Sequence, residues 1–132
     1  MECGSDIRAV VDKNRDNILL AMRNEAASKD YFKGLPMPFE QFIEVICNDY
    51  LETMVICYET GSMAIFREKL TWFQDMYKSR TQGIYPVGAL SDFFGLLRKH
   101  VLAECGPAVG GMEKLLDDMA AVIKEYDQGV DL

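Results

Sequence analysis

Proline and glycine cut this sequence into helix-length pieces. Within the pieces, apolar residues recur at three- and four-residue steps. No stretch alternates apolar and polar residues as a half-buried strand would. Together these features predict an all-α fold of five helices with short connections around one core, a single domain over residues 1–132. A chain of 15.0 kDa buries about two-thirds of its unfolded surface, enough for a core without disulfides or a metal.

The first helix is expected from Ser5 or Asp6 to about Ser28. Ser5 suits an N-cap, and Asp6 suits the positive end of the helix dipole. Ile7, Val10, Val11, Ile18, Ala21 and Met22 supply its apolar face. A connector follows over residues 30–37, whose Tyr31, Phe32, Leu35 and Met37 are expected to pack onto the body. Pro38 then opens the second helix, with Glu40 just inside it, and Gly61 ends it. Its apolar residues cover well over half the circumference, so it is either central or presents one face to a partner.

Ser62 is expected to cap a third helix reaching about Ser79. Ile65, Phe66, Leu70, Trp72, Phe73, Met76 and Tyr77 fall on one half, and charged residues on the other. The break at Thr81-Gln82-Gly83 leads to a fourth helix from Pro86 to about Glu104, with Leu90, Phe93, Phe94, Leu97 and Val101 inward. After Cys105-Gly106-Pro107, the last helix is expected from Val109 to Tyr126. Its Met112, Leu115, Leu116, Met119 and Ile123 follow the helical repeat.

The net charge of −7 argues against a phosphate-tracking nucleic-acid binder and against a polybasic membrane anchor. No apolar run is long enough to span a membrane. The polar opening Met1-Glu2-Cys3-Gly4 lacks the apolar segment of a secretory leader, so a cytoplasmic location is expected. Cys3, Cys47, Cys57 and Cys105 form no C-x-x-C pair and read as reduced, small hydrophobes. Charge is segregated: residues 34–66 carry five acids and no base, while residues 67–100 carry six bases and three acids. Solvated helix faces explain this most simply. The sharper expectation is that the acidic second helix faces the basic third and fourth, within a chain or across a dimer.

Candidate chemistry is sparse. His100 is the one histidine. It would be the axial ligand if haem were bound, with Phe and Met residues lining the pocket. The plainer reading bonds it to Glu104, four residues on, or to water. His100, Glu104 and Cys105 lack zinc-ligand spacing, and Cys105 is too close along the helix to form a nucleophile–histidine pair with His100. No catalytic residue and no bound metal or cofactor is therefore expected. The eight methionines and thirteen Phe and Tyr residues read first as core, and second as an adaptable wall around an apolar ligand.

One stretch carries more. Ser79-Arg80-Thr81-Gln82-Gly83-Ile84-Tyr85-Pro86 leads into Leu90, Phe93 and Leu97, with the basic pair Arg98-Lys99 beyond. It resembles the region of RsbR-type regulators in which an Arg-x-x-Gln-Gly-Ile turn enters a helix with a Leu-x-x-Phe core step. Here the proline falls one residue later than in the common family form. The resemblance implies a globin-like N-terminal sensor domain that binds no haem, forms dimers and relays a signal inside a stress-signalling complex. It implies further that Gly83 and Ile84 form the turn and that Leu90, Phe93 and Leu97 pack inside.

The expected function is thus a non-enzymatic homodimeric sensor or regulatory module acting on a signalling protein partner. Its interface is expected on the second helix at Tyr50, Leu51, Val55 and Tyr58. The alternative is a helical carrier or sensor holding haem, another tetrapyrrole or a fatty-acid-like ligand in an apolar cavity.

Overall fold

The computed structural model describes residues 7–26, 38–80 and 88–127, the side chains of 76–80 excepted. The proposed cap at Ser5 or Asp6, the connector over residues 30–37, the turn at Gly83 and Ile84, Pro86 and Cys3 lie outside the described residues. Among the described residues there are five α-helices: α1 (Ile7–Ala26), α2 (Phe39–Thr60), α3 (Ala64–Arg80), α4 (Ala89–Cys105) and α5 (Met112–Tyr126). A 3-10 turn, Gly106–Ala108, joins the last two, and no strand occurs among the described residues. No helix described is long and apolar enough to cross a membrane.

The helix ends follow local chemistry. At the end of α2, Gly61 takes φ +72° and its N–H donates to the Cys57 carbonyl at 2.8 Å. A side chain at that left-handed position would be strained, so glycine stops the helix there. Ser62 lies just outside α3, where its Oγ accepts the Ala64 N–H at 3.1 Å.

The start of α5 departs from expectation by three residues: Met112 opens it, not Val109. Gly111 sits at φ +79°, which no right-handed helix can include. Val109 is extended instead and buried outside the helix. The N-terminus of α4 is capped from far away. Its backbone N–H groups at Gly88, Leu90 and Ser91 all donate to the Asp127 carboxylate, at 3.0, 3.1 and 2.9 Å. Asp127 is buried just past the end of α5, where it satisfies donors that the helix cannot.

The helices share one contiguous core. The most extensive packing is α1 on α4 and α4 on α5, with α2 laid against α1 and α3. Leu90, Phe93 and Leu97 are all buried, as are Met22, Met54, Met112 and Met119. An aromatic cluster ties α2, α3 and α4 together. Phe42 meets Phe73 and Phe93 at 6.4 and 6.3 Å, and Tyr50 stacks on Phe94 at 5.4 Å with Phe66 edge-on at 6.0 Å. Such ring pairs add directionality to plain area burial.

Two expectations are corrected here. Tyr50, Leu51 and Val55 cannot form a surface between protomers, because they are 4%, 0% and 1% exposed within one chain. Most of the broad apolar girth of α2 is spent on the protomer's own core. Tyr58 is half-buried and donates its hydroxyl to the Gly110 carbonyl at 2.8 Å, pinning the end of α2 to the α4–α5 connection. The charge segregation, in turn, is answered inside the chain, but by different helices than expected. Arg8 of α1 bonds Glu52 at 3.0 Å and Arg23 reaches Glu44 at 3.9 Å, so α1 supplies much of the counter-charge of α2. From α3, Lys69 joins in, at 3.0 Å from Asp49. Arg67 of α3 pairs with Glu125, and Arg98 of α4 with Asp117, both on α5.

Candidate functional site

His100 lies in the seam between α4 and α1. Its Nε2 is 2.7 Å from Glu25 Oε1, and the Lys99 ammonium donates to Glu25 Oε2 at 2.9 Å. The expected partner Glu104 points to solvent, and α1 brings Glu25 into its place. The Lys99 and His100 bonds hold the Glu25 carboxyl below its ordinary range, that of Lys99 contributing most. The imidazole nitrogen that would bind a haem iron is therefore engaged by a carboxylate, and His100 lines none of the clefts described below. Cys105 is buried while Glu104 is exposed, so the pair flanking the seam is split between interior and solvent.

The cysteines are placed for packing. Cys47, Cys57 and Cys105 are free and buried. Burial pushes the Cys47 thiol up to about 12 and raises the other two. Thiols held protonated in this way are poor nucleophiles and poor metal ligands.

Among the described residues, a groove of about 920 Å³ lies between α2 and α3. Val45 and Trp72 stand out of it at 50% and 59% exposed, with Ile46 and Ile65 half-buried between them. Its rim carries Glu44, Asp49, Glu52 and Glu68 against Arg15 and Lys69. Arg15 is steadied by Asn48 at 2.6 Å and Asp12 at 2.9 Å. Beneath Trp72, a void of about 30 Å³ opens among Tyr50, Phe66, Phe73 and Phe94. That is room for one water-sized molecule and far below the 300 Å³ or so that a small-molecule pocket needs.

Sequence reasoning put Trp72 on the buried half of α3, and the structure puts it outside. The signal was present in the angles. Phe66, Leu70 and Phe73 form a stripe on one line of the helix, and Trp72 falls roughly 120° away from Phe66 at 100° per residue. Ile65 shares the Trp72 edge, one helical repeat earlier. On α2, Val45 lies nearly opposite the buried Cys47. Trp72 and Ile65 fall with the core only when apolarity is counted before direction.

No family model, curated protein or solved structure matches the chain.

Proposed function

We propose that this chain is a non-enzymatic, globin-like regulatory module that relays a signal through protein–protein contacts, with a second copy of itself as its first partner. The observation that carries this reading is the exposed pair Trp72 and Val45 in the α2–α3 groove. A tryptophan more than half exposed beside further aliphatic residues is costly in water and typical of the anchor of an interface. The rim favours a specific mate over indiscriminate sticking, because charged residues of both signs border the apolar strip. Two such grooves brought together about a two-fold axis would bury Trp72 against its symmetry mate.

The buried, protonated cysteines and the carboxylate-bound His100 support a binding role over a catalytic one. Sedimentation of the full chain at tens of micromolar tests the reading. A dimer is expected, converted to monomer by Trp72→Ala with the helical circular dichroism unchanged. A wild-type monomer at those concentrations would remove the homodimer. A dimer untouched by Trp72→Ala would move the interface elsewhere.

A further inference from the structure

The two walls of the Trp72 groove are anchored differently. α2 packs on α1, α3 and α5, whereas α3 packs chiefly on α2 and α5. The buried residues described on α3 are Phe66, Leu70 and Phe73. The small void under Trp72 lies against two of them, Phe66 and Phe73. Apolar packing therefore leaves slack beneath this helix.

Polar bonds hold the other side of α3, and they come from one short stretch at the end of α5. Both terminal nitrogens of Arg67 donate to the Glu125 carboxylate, Nη2 to Oε2 at 3.3 Å. The hydroxyls of Thr71 and Tyr126 lie 3.2 Å apart, and Gln74 Nε2 donates to the Tyr126 carbonyl at 2.7 Å. Arg67, Thr71 and Gln74 form a stripe at steps of four and three residues. Ile65, Glu68, Lys69 and Trp72 line the groove. At 100° per residue the two stripes stand roughly 140° apart around α3. The next residue of the stretch, Asp127, caps α4. Residues 125–127 thus grip α3 and the start of α4 together, and these two helices supply Phe66, Phe73 and Phe94 to the wall of the void.

We propose that residues 125–127 are a strap that controls the Trp72 groove. Fastened, they seat α3 beside α2 and give the groove its shape. Released, they let α3 shift over the void, and the contact surface loses its fit. The inference rests on the contact-surface reading and names what regulates that surface. The bonds suit a reversible strap. Arg67, Thr71 and Glu125 are exposed, so each of their bonds exchanges with water or another polar group at small cost. Segments that move in regulation come from such weakly held parts of a fold.

Hydrogen exchange and the emission of Trp72, the one tryptophan, test the strap in the full chain. Arg67→Glu sets two carboxylates against each other, and Gln74→Met removes the donor to the Tyr126 carbonyl. Each should speed amide exchange over residues 70–74 roughly fivefold, the worth of one hydrogen bond. Exchange in α1 should stay as in wild type, and the Trp72 emission should shift. Sedimentation should show the dimer Kd raised by a similar factor. Arg67→Glu combined with Glu125→Arg re-forms the pair with its charges exchanged and should restore all of these readouts.

A pair that only adds stability would speed exchange in every helix alike. That outcome would overturn the proposal, as would unchanged exchange in α3 or a charge exchange that restores nothing. So would a dimer whose Kd stays put while α3 loosens. A wild-type monomer would remove the homodimer instead. Exchange and Trp72 emission would then decide the strap alone, so the two readings fail separately.

Discussion

The α1–α4 seam and the α2–α3 seam are built from the same kinds of residue and end up differently. The first is packed extensively and closed at its edge by polar groups, with Glu25 held between Lys99 and His100. The second is packed less extensively and leaves Val45 and Trp72 in solvent, with charged residues beside them. A seam whose edge is polar and saturated has finished its work within the chain. A seam whose edge is aromatic and aliphatic holds apolar area that folding did not bury. The contrast separates residues that make the bundle from residues left over for contacts.

The largest effect comes from asking the same substitution to act on both sides of that divide. Val55 is 1% exposed and Val45 is 50% exposed, on the same helix. Val55→Glu places an unpaired carboxylate in the core and should unfold the protein, a loss of about 4 kcal/mol or more. Val45→Glu stays in water and should change stability by about 0.5 kcal/mol or less. It should also weaken any self-association, because it adds charge to the apolar strip. Urea denaturation of the two variants measures the difference. Equal stability would mean that the seams are not distinct in the way their burial indicates.

How much of this was legible beforehand depends on the range of the cause. Helix identity was readable because it rests on periodicity and on local stops such as Gly61, whose left-handed φ is a property of the residue itself. The burial of Leu90, Phe93 and Leu97 followed from the same periodicity. The direction of Trp72 was readable in principle from its angle to Phe66 and Phe73, yet apolar content outweighed it.

Partners remote in sequence were not readable. Glu25 meets His100 across 75 residues, and Asp127 caps α4 across 36 or more. Nothing near either residue announces its partner. The start of α5 failed for a mixed reason. Gly110-Gly111 is a visible break, but Val109, although outside the helix, keeps its place in the core.

Asp127 gives the next effect in size. Its carboxylate accepts three backbone N–H groups at the N-terminus of α4, two residues of which, Leu90 and Ser91, lie in the first turn. Asp127→Ala should cost about 1–2 kcal/mol, as the loss of a good helix cap does. Asp127→Asn keeps one acceptor oxygen and should cost less. Thermal unfolding checks the order. The loss should be accompanied by faster amide exchange at Leu90 and Ser91, the donors left without an acceptor. Unchanged exchange there would show that water replaces the carboxylate without penalty.

The smallest effect concerns the polar edge of the α1–α4 seam, and its sign is fixed by which state holds the proton. Two hydrogen bonds lower the Glu25 carboxyl in the folded chain from its ordinary value of 4.5. The unfolded chain therefore binds this proton at higher pH than the folded chain does. Stability from the bond is fully present above the unfolded value and is lost as pH falls through the folded one. Glu25→Gln should lower Tm modestly near neutrality, and the gap to wild type should close as pH falls below 4.5.

Lys99 is exposed at 57% and Glu25 partly so at 34%, so added salt should shrink the gap as well. Because the Lys99 bond is the largest cause, Lys99→Met should raise the Glu25 titration further than His100→Gln does. The side-chain carboxyl carbon resonance of Glu25 reads this directly. An ordinary titration in wild type, or a larger rise in His100→Gln, would show that the edge is held by something other than this pair of bonds.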